Sequence, residues 1–350
     1  MKSIAALLSC LALTAASIQA HLNVVLTNDD GFGSANIRAV YNELKKQNHN
    51  VLIVGPADQQ SAKGGTTVWP TSNLTSGGRG NLLTAGLPYA GTEPGVDNPA
   101  ITYFNGTPAA CVFYALDVVA PVTKQNQSVD LVVSGVNEGS NLGPLVYTLS
   151  GTLGAAYVAV GRGIPAVAVS GQNSTKVDYK DWDPEDESAV ANVQGRLTAD
   201  LVSALAYGRD KTKGERVLPP ALGLNVNFPQ INSTCTGLPM IQTRMTGSAL
   251  TDKVVFTAAG FPWSSDLPGS IGINTCVSGD CSLPGETLVA TTTCQTAVTV
   301  FSVDYDAPQG YTESVKEHLE YTVLDKMNTA PGSYKKKREW TPRGRSARAE

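Results

Sequence analysis

The pattern of apolar and polar positions predicts alternating strands and helices through the first two thirds of the chain. Short apolar runs bounded by polar, glycine or proline residues are typical of buried strands. They occupy residues 22–27, 51–54, 131–134, 166–169 and 224–228. Apolar residues at helical spacing lie between them, over 37–44, 109–119, 154–160 and 190–205. Because parallel strands need such crossovers, the pattern predicts an α/β fold with a Rossmann-like, doubly wound, mostly parallel sheet.

Three regions differ in composition from the helix-and-strand pattern of the core, which we place at residues 21–230. Residues 70–99 are rich in Gly, Ser, Thr and Asn, which predicts an irregular loop insertion that carries a glycan. Residues 231–334 are predicted to be a β-rich, disulfide-containing C-terminal extension of the same domain. Its β-like runs are 254–256, 287–290 and 298–303. Residues 335–350 are charged without an apolar stripe, which predicts a basic, disordered tail.

Residues 1–20 have the features of a signal peptide. Lys2 supplies a positive start, an apolar run too short to span a bilayer follows, and residues 18–20 fit a small-residue cleavage site. The mature chain is therefore expected to begin at His21 and to be secreted, extracellular and free of membrane spans. Glycosylation sequons support secretion and begin at Asn73, Asn126, Asn173 and Asn232.

The cysteines also favour an oxidising compartment. Of the six, Cys10 leaves with the signal peptide and four of the others lie in the C-terminal third. Cys276 and Cys281 enclose a short loop and form the first predicted disulfide, which leaves Cys235 with Cys294 as the second. Cys111 lies in an apolar run and is predicted to be a buried free thiol.

Composition and charge exclude one class of partner. The 350 residues are 42% hydrophobic and carry a net charge of -4. This length and composition suit a globular chain with one large α/β domain or two smaller ones. Because a broad basic face is missing, we do not expect duplex nucleic acid as a partner.

Polar clusters follow three of the predicted strands. They are residues 28–31, with the Asp29–Asp30 pair, and residues 58–61 and 134–143. The carboxyl ends of parallel strands meet at one edge of a sheet, where ligands bind. The donors are carboxylates, a hydroxyl and amides, which suit Mg2+ or Mn2+ better than zinc. The alternative is that Asp-Asp-Gly forms an ordinary turn whose Asp side chains cap nearby amides.

The turn Ser150-Gly151-Thr152 precedes the helix predicted near residue 154. A helix start offers free N–H groups and a favourable dipole to an anion. The alternative is an ordinary helix cap. An oxygen-ligated metal beside an anion pocket would suit the hydrolysis of phosphate esters, since a metal polarises the phosphoryl group and activates water.

Taken together, six motifs resemble the SurE family of survival-protein phosphatases and nucleotidases, including its secreted fungal acid phosphatases. The resemblance spans residues 22–228 and the motifs follow one another in the family's order. They are residues 26–31, 55–61, 105–112, 134–143, 150–156 and 163–170. The resemblance implies a SurE-like fold and a metal-dependent phosphomonoester hydrolase of the acid phosphatase or 5'-nucleotidase type that uses a metal-activated water.

The resemblance also implies the residues of the site. The metal ligands would be Asp29, Asp30, the hydroxyl of Ser61 and Asn137, with Mg2+ or Mn2+ as the cation. The residues that contact the phosphate would be Asn141, Ser150, Gly151 and Thr152. Asp29 would in addition orient the attacking water. The substrate would be a small phosphomonoester such as a nucleoside monophosphate, and the chain would form homodimers or tetramers through its C-terminal region.

Two departures from the family pattern adjoin this site and bear on substrate preference. Gln59 and Gln60 stand where the family commonly has basic residues, and the loop 70–103 is longer than in the bacterial proteins.

Two other functions are alternatives to a phosphomonoester hydrolase. A catalytically decayed member would act as a secreted ligand-binding module. A dinucleotide oxidoreductase is disfavoured, because Asp29 and Asp30 occupy the turn that would have to approach a pyrophosphate.

Overall fold

The computed structural model describes residues 21–123, 128–207, 209, 214–245, 253–254, 257–258, 263–264 and 282–304. Outside these residues lie the predicted signal peptide, the predicted tail 335–350, Cys276, Cys281 and the sequon at Asn126. Residues up to Val303 form one unit, and the second unit, Asp304–Glu350, is described only at Asp304.

Nine strands form one sheet in the order β3-β4-β2-β1-β5-β6-β7-β11-β8. The strands of the chain are β1 Asn23–Thr27, β2 Asn50–Pro56, β3 Ala90–Thr92, β4 Ile101–Phe104, β5 Leu131–Glu138, β6 Ala166–Gly171, β7 Leu222–Phe228, β8 Met240–Thr243, β9 Lys253–Val254, β10 Trp263–Ser264 and β11 Thr296–Ser302. Strands β4, β2, β1, β5, β6 and β7 are parallel, β3 and β11 are antiparallel to their neighbours β4 and β7, and β8 is parallel to β11. The prediction of a mostly parallel sheet is confirmed.

Helices cover both faces of the sheet. They are α1 Ala35–Lys46, α2 Pro108–Tyr114, α3 Ala120–Thr123, α4 Gly143–Leu149, α5 Gly151–Gly161, α6 Val190–Ala206 and α7 Glu286–Thr292. A π-helical turn, Ala115–Val119, joins α2 to α3. Ser34 caps α1, because its hydroxyl accepts from the N–H of Ile37.

Successive side chains of the central strand β1 pack in two layers of the core, one on each face of the sheet. Val24 and Leu26 of β1 pack in the layer that contains α1 and α6, whereas Val25 packs in the layer of α2 and α5. Successive strand side chains point to opposite faces, so a strand buried on both faces is apolar throughout. This explains the uninterrupted apolar run in β1.

No single helix in the described part of the chain is long and apolar enough to cross a membrane. By length and composition alone, the pair α4 and α5, bent by 79°, passes that test together.

The run 287–290 was predicted to be β-like, and this prediction is wrong. These residues lie in α7, where Val289 and Ala290 pack against Leu142, Ile241 and Ala297. A four-residue apolar run fits a strand or a buried helix equally well, so its tertiary neighbours decide. The run 298–303 does form most of β11, which with β8 continues the main sheet beyond β7.

The cysteine predictions are confirmed where the structure describes them. Cys235 and Cys294 form a disulfide with a Cα–Cα distance of 5.3 Å. Cys111 is a buried free thiol on α2. The pairing of Cys276 with Cys281 stays a prediction, as do the domain boundaries at residues 230 and 334.

Candidate active site

The site lies where the order of the strands reverses direction. From β1 the chain passes through α1 to β2 on one side, and it later returns to β5 on the other side of β1. The crevice beyond the carboxyl ends at such a point is where open α/β sheets bind ligands. Asp29 and Asp30 follow β1 and Asn137 lies near the end of β5, so the structure brings both polar clusters to this crevice.

The turn after β1 is built to present its two acidic residues. The side-chain amide of Asn28 donates to the carbonyl of Gly31 at 3.0 Å and to the hydroxyl of Ser34 at 3.1 Å. Gly31 has a φ of 100°, which side chains rarely adopt. These features close a tight turn between β1 and α1, so the two acidic residues have defined positions.

Asp29 is 3% exposed and links the turn to two other segments. Thr152 donates its N–H to Oδ2 at 3.2 Å and its hydroxyl to Oδ1 at 2.8 Å. The main-chain carbonyl of Asp29 accepts from the N–H of Gln60 at 2.7 Å. Burial raises the pKa of Asp29, and the two bonds from Thr152 oppose that rise. Asp29 therefore joins the start of α5 to the loop that carries Ser61.

Asp30 is 1% exposed, and its Oδ2 accepts from the N–H of Glu138 at 2.9 Å. Burial, followed by the negative charges of Asp29 and Glu138, raises the pKa of Asp30 well above its usual value. In the described residues no basic side chain hydrogen-bonds to the carboxylate of Asp29 or Asp30. The pair is consequently short of positive charge, as a site for a divalent cation would be.

The other two predicted metal ligands supply neutral oxygens. Asn137 donates its amide nitrogen to the carbonyl of Gly139 at 2.8 Å, so its side-chain oxygen is the atom left to act as a ligand. Ser61 is exposed on the loop after β2, one residue beyond the bond from Gln60 to Asp29. Within the described ranges no three His, Cys, Asp or Glu side chains cluster as a metal site, so any set of ligands here has to include such neutral groups.

The turn Ser150-Gly151-Thr152 begins a helix, as predicted. Ser150 caps α5 by accepting from the N–H of Leu153 at 3.3 Å. A methyl group at Gly151 would lie 2.9 Å from Cβ of Asp29, so the turn packs directly on the acidic pair. Thr152 uses its N–H and hydroxyl on Asp29, and its assignment to the phosphate stays a prediction.

Asn141 is held by a network of buried amides. Its N–H donates to Asn227 at 2.8 Å, and its carbonyl accepts from Asn225 and Asn227 at 3.0 Å each. Its side-chain nitrogen donates to Ser170 at 2.8 Å. The role of Asn141 as a donor to phosphate stays a prediction.

Arg79 is a functional candidate that the sequence analysis missed. It lies in a 3-10 turn, Arg79–Asn81, within the glycine-rich loop, yet it is only 8% exposed. Its Nη1 donates to the carbonyl of Asp30 and to Glu138, both at 3.0 Å. Its Nη2 donates to Glu138 at 2.8 Å and to the carbonyl of Val177 at 3.2 Å. Its Nε donates to Asp178, so all five N–H groups are engaged.

Arg79 thus joins the ends of β1 and β5 to the segment around Asp178. The only local signal in the sequence is that Gly78 and Gly80 flank the arginine, with φ of 65° and 64°. Such glycines permit a tight turn that directs one long side chain inward. Nothing in the sequence identifies the groups that this side chain reaches.

Comparisons with known proteins identify the family of the chain. Residues 24–251 match the family model described as survival protein SurE. An acid phosphatase of Yarrowia lipolytica is 41% identical over 323 residues, which cover 89% of this chain and 87% of the relative. A 5'-nucleotidase SurE of Desulfovibrio desulfuricans is 36% identical over 213 residues, 59% of this chain and 66% of the relative.

A structural likeness supports the fold alone. The crystal structure of the SurE protein from Aquifex aeolicus superposes with a TM-score of 0.56 at 22% identity. The match covers 85% of this chain and 99% of that one.

Proposed function

The chain belongs to the SurE family, and we propose that it hydrolyses phosphomonoesters at the acidic pair Asp29 and Asp30. The enzyme is a phosphoric monoester hydrolase of the acid phosphatase or 5'-nucleotidase type. The observation that carries the assignment of the site is the burial of both carboxylates at the sheet's switch point, against the start of α5. The substrates we propose are small phosphomonoesters such as nucleoside monophosphates.

The residues that would hold a divalent cation, Mg2+ or Mn2+, are Asp29, Asp30, Ser61 and Asn137. The acidic pair fits such an ion because no basic side chain among the described residues hydrogen-bonds to its two buried carboxylates, and the nearby Arg79 is itself paired with Glu138 and Asp178. When bound, the cation would polarise the phosphoryl group and lower the pKa of a bound water.

The chain's own groups orient the reactants. Asp29 is fixed by the two bonds from Thr152, and each carboxylate oxygen keeps a lone pair that can accept a hydrogen bond from the attacking water. The N–H groups of Thr152 and Leu153 already donate to Asp29 and Ser150, so the N–H of Gly151 and the positive end of the helix dipole would bind the phosphate. We assign phosphate binding to this helix start, residues 150–152, together with Asn141.

We further propose that the chain is a secreted, extracellular glycoprotein whose mature form begins at His21. The disulfide between Cys235 and Cys294 supports an oxidising compartment, because reducing compartments rarely retain such bonds. We also propose a homodimer or tetramer that has no nucleic-acid or membrane partner.

Removing divalent cations is expected to abolish hydrolysis. The purified chain would be treated with EDTA, dialysed and assayed with p-nitrophenyl phosphate and a panel of nucleoside monophosphates. Mg2+ or Mn2+ should restore turnover, because either supplies the charge that the acidic pair lacks. Full activity in the metal-free enzyme would exclude the metal mechanism. If the chain binds phosphate after Mg2+ or Mn2+ is added back but hydrolyses no substrate, it is a catalytically decayed member of the family.

Replacing Thr152 with valine is expected to lower kcat/KM roughly 10- to 100-fold, the range for a hydrogen bond to a charged group. The variant loses the 2.8 Å bond to Asp29 while keeping its shape, so the affinity for Mn2+ should fall as well. Thr198→Val is the matched control, since Thr198 is equally buried and its hydroxyl bonds only within α6. If inhibition by phosphate weakens while the affinity for Mn2+ is unchanged, Thr152 serves the phosphate alone, and the opposite result would remove Thr152 from the phosphate site.

A further inference from the structure

Glu286 is a buried acidic residue far from the proposed site in sequence. It is the first residue of α7 and is 0% exposed. One carboxylate oxygen accepts from the N–H of Gly143, 143 residues away in the chain, at 2.7 Å. The other accepts from the amide of Asn225 at 3.1 Å and from the hydroxyl of Thr299 at 2.7 Å. Glu286 therefore joins α4, β7 and β11.

Neutral groups alone hydrogen-bond to this carboxylate in the described residues. Burial raises the pKa of Glu286 to about 7, and the bonds from Gly143, Thr299 and Asn225 limit that rise. Burying an acidic group without a cation is costly, whereas an apolar side chain would fill the same volume without that cost. The three directed bonds indicate that Glu286 holds its neighbours in one arrangement.

The neighbours that Glu286 holds belong to the site. Gly143 is the first residue of α4, and α4 leads directly into the cap of α5 at Ser150. Asn225 donates to Glu286 and also to the carbonyl of Asn141. Glu286 thus bonds the segment 137–152 near its middle, at Gly143. Five of the residues assigned to the metal or the phosphate lie on this segment: Asn137, Asn141, Ser150, Gly151 and Thr152.

We propose that Glu286 is a positioning residue that sets the place of the phosphate-binding half of the site, through Gly143 and Asn141. The proposal rests on the proposed function and deepens it, because it gives the C-terminal extension a part in substrate binding. Glu286 itself would not touch the substrate.

The test compares Glu286→Gln with Thr243→Val. Glutamine keeps the shape of the side chain, but its NH2 group has to face either Gly143 N–H or the amide of Asn225, which are both donors. Thr243 is buried and its hydroxyl bonds to Thr299, so its loss weakens the same network on the side away from the site. Glu286→Asp is made as well, since it keeps the charge and shortens the reach by one methylene.

Phosphate binding and segment dynamics are measured at a temperature at which every variant is folded. For Glu286→Gln and Glu286→Asp we expect the inhibition constant of inorganic phosphate and the KM for p-nitrophenyl phosphate to rise about 3- to 10-fold, as for one lost hydrogen bond. kcat should fall less, and the affinity for Mn2+ should stay within about twofold. Amide hydrogen exchange should accelerate in residues 139–152. Thr243→Val should leave both constants at the wild-type values, even where its melting temperature falls as far.

Two results would overturn the proposal. One is wild-type phosphate inhibition in both Glu286 variants, and the other is an equal change in Thr243→Val. Failure of the proposed function looks different, because the wild-type chain would then not hydrolyse p-nitrophenyl phosphate. In that case calorimetric titration with inorganic phosphate decides, and weaker binding in the Glu286 variants but not in Thr243→Val supports the positioning role.

Discussion

Replacing Asp29 or Asp30 with asparagine is expected to lower kcat/KM for phosphomonoesters by roughly 100- to 1,000-fold, since each change removes several kcal/mol of charge stabilisation. Asparagine keeps the side-chain shape, and at position 30 its oxygen can accept from the N–H of Glu138. At position 29 its single oxygen can accept only one of the two bonds from Thr152. The loss should therefore persist at saturating Mg2+ or Mn2+. Asp58→Asn is the control, because Asp58 is an exposed carboxylate on the neighbouring loop.

The melting temperature of Asp30→Asn should not fall with its activity. The raised pKa of Asp30 means that the folded chain holds a proton there which the unfolded chain releases, so stability falls as the pH rises above the usual carboxyl range. In EDTA at neutral pH, Asp30→Asn removes this cost and should melt at or above the wild-type temperature. Mg2+ should then raise the melting temperature of the wild-type chain but not of the variant. Near-normal turnover in either asparagine variant would show that its carboxylate is not a ligand.

The second large effect is expected at Arg79. Replacing it with methionine leaves the buried carboxylate of Glu138 and the partly exposed carboxylate of Asp178 without their cation. Breaking such a pair lowers the free energy of unfolding by about 3–5 kcal/mol. Lysine should not substitute, because it cannot make the paired bonds to Glu138 while reaching the carbonyl of Asp30.

Activity should fall with stability in the Arg79 variants, because the N–H of Glu138 holds the carboxylate of Asp30. Arg162→Met is the matched control. Arg162 also makes paired bonds to a carboxylate, that of Asp117, but the two side chains are 37% and 51% exposed. Such an exposed pair contributes up to about 1 kcal/mol, which urea denaturation resolves from the Arg79 effect. If Arg79→Lys retains wild-type stability and kcat/KM, Arg79 does not position the site.

The sequence by itself determined the kind and order of the central elements. The spacing of apolar positions identified the parallel strands β1, β2, β5, β6 and β7 and the helices between them. Local chemistry also placed Asp29 and Asp30 at the end of a strand and Ser150 at the start of a helix. These features depend on neighbours within a few residues, so a one-dimensional pattern records them.

Short or weakly patterned segments were decided by the tertiary structure. Residues 287–290 form part of a helix because Val289 and Ala290 pack against residues of β8, of β11 and of the loop before α4. The strands β3 and β4 and the helix α4 are too short for their apolar pattern to predict them. In such segments the packing of distant residues outweighs local preference.

Only the tertiary structure determined which groups hold the acidic pair. Thr152 reaches Asp29 across 123 residues and Arg79 reaches Asp30 across 49, while Glu286 fixes α4 from the far end of the chain. Each contact depends on the order of the strands and on which loop folds over the crevice. A hydrogen bond is formed only where two groups meet at the right distance and angle, and no local pattern records that meeting.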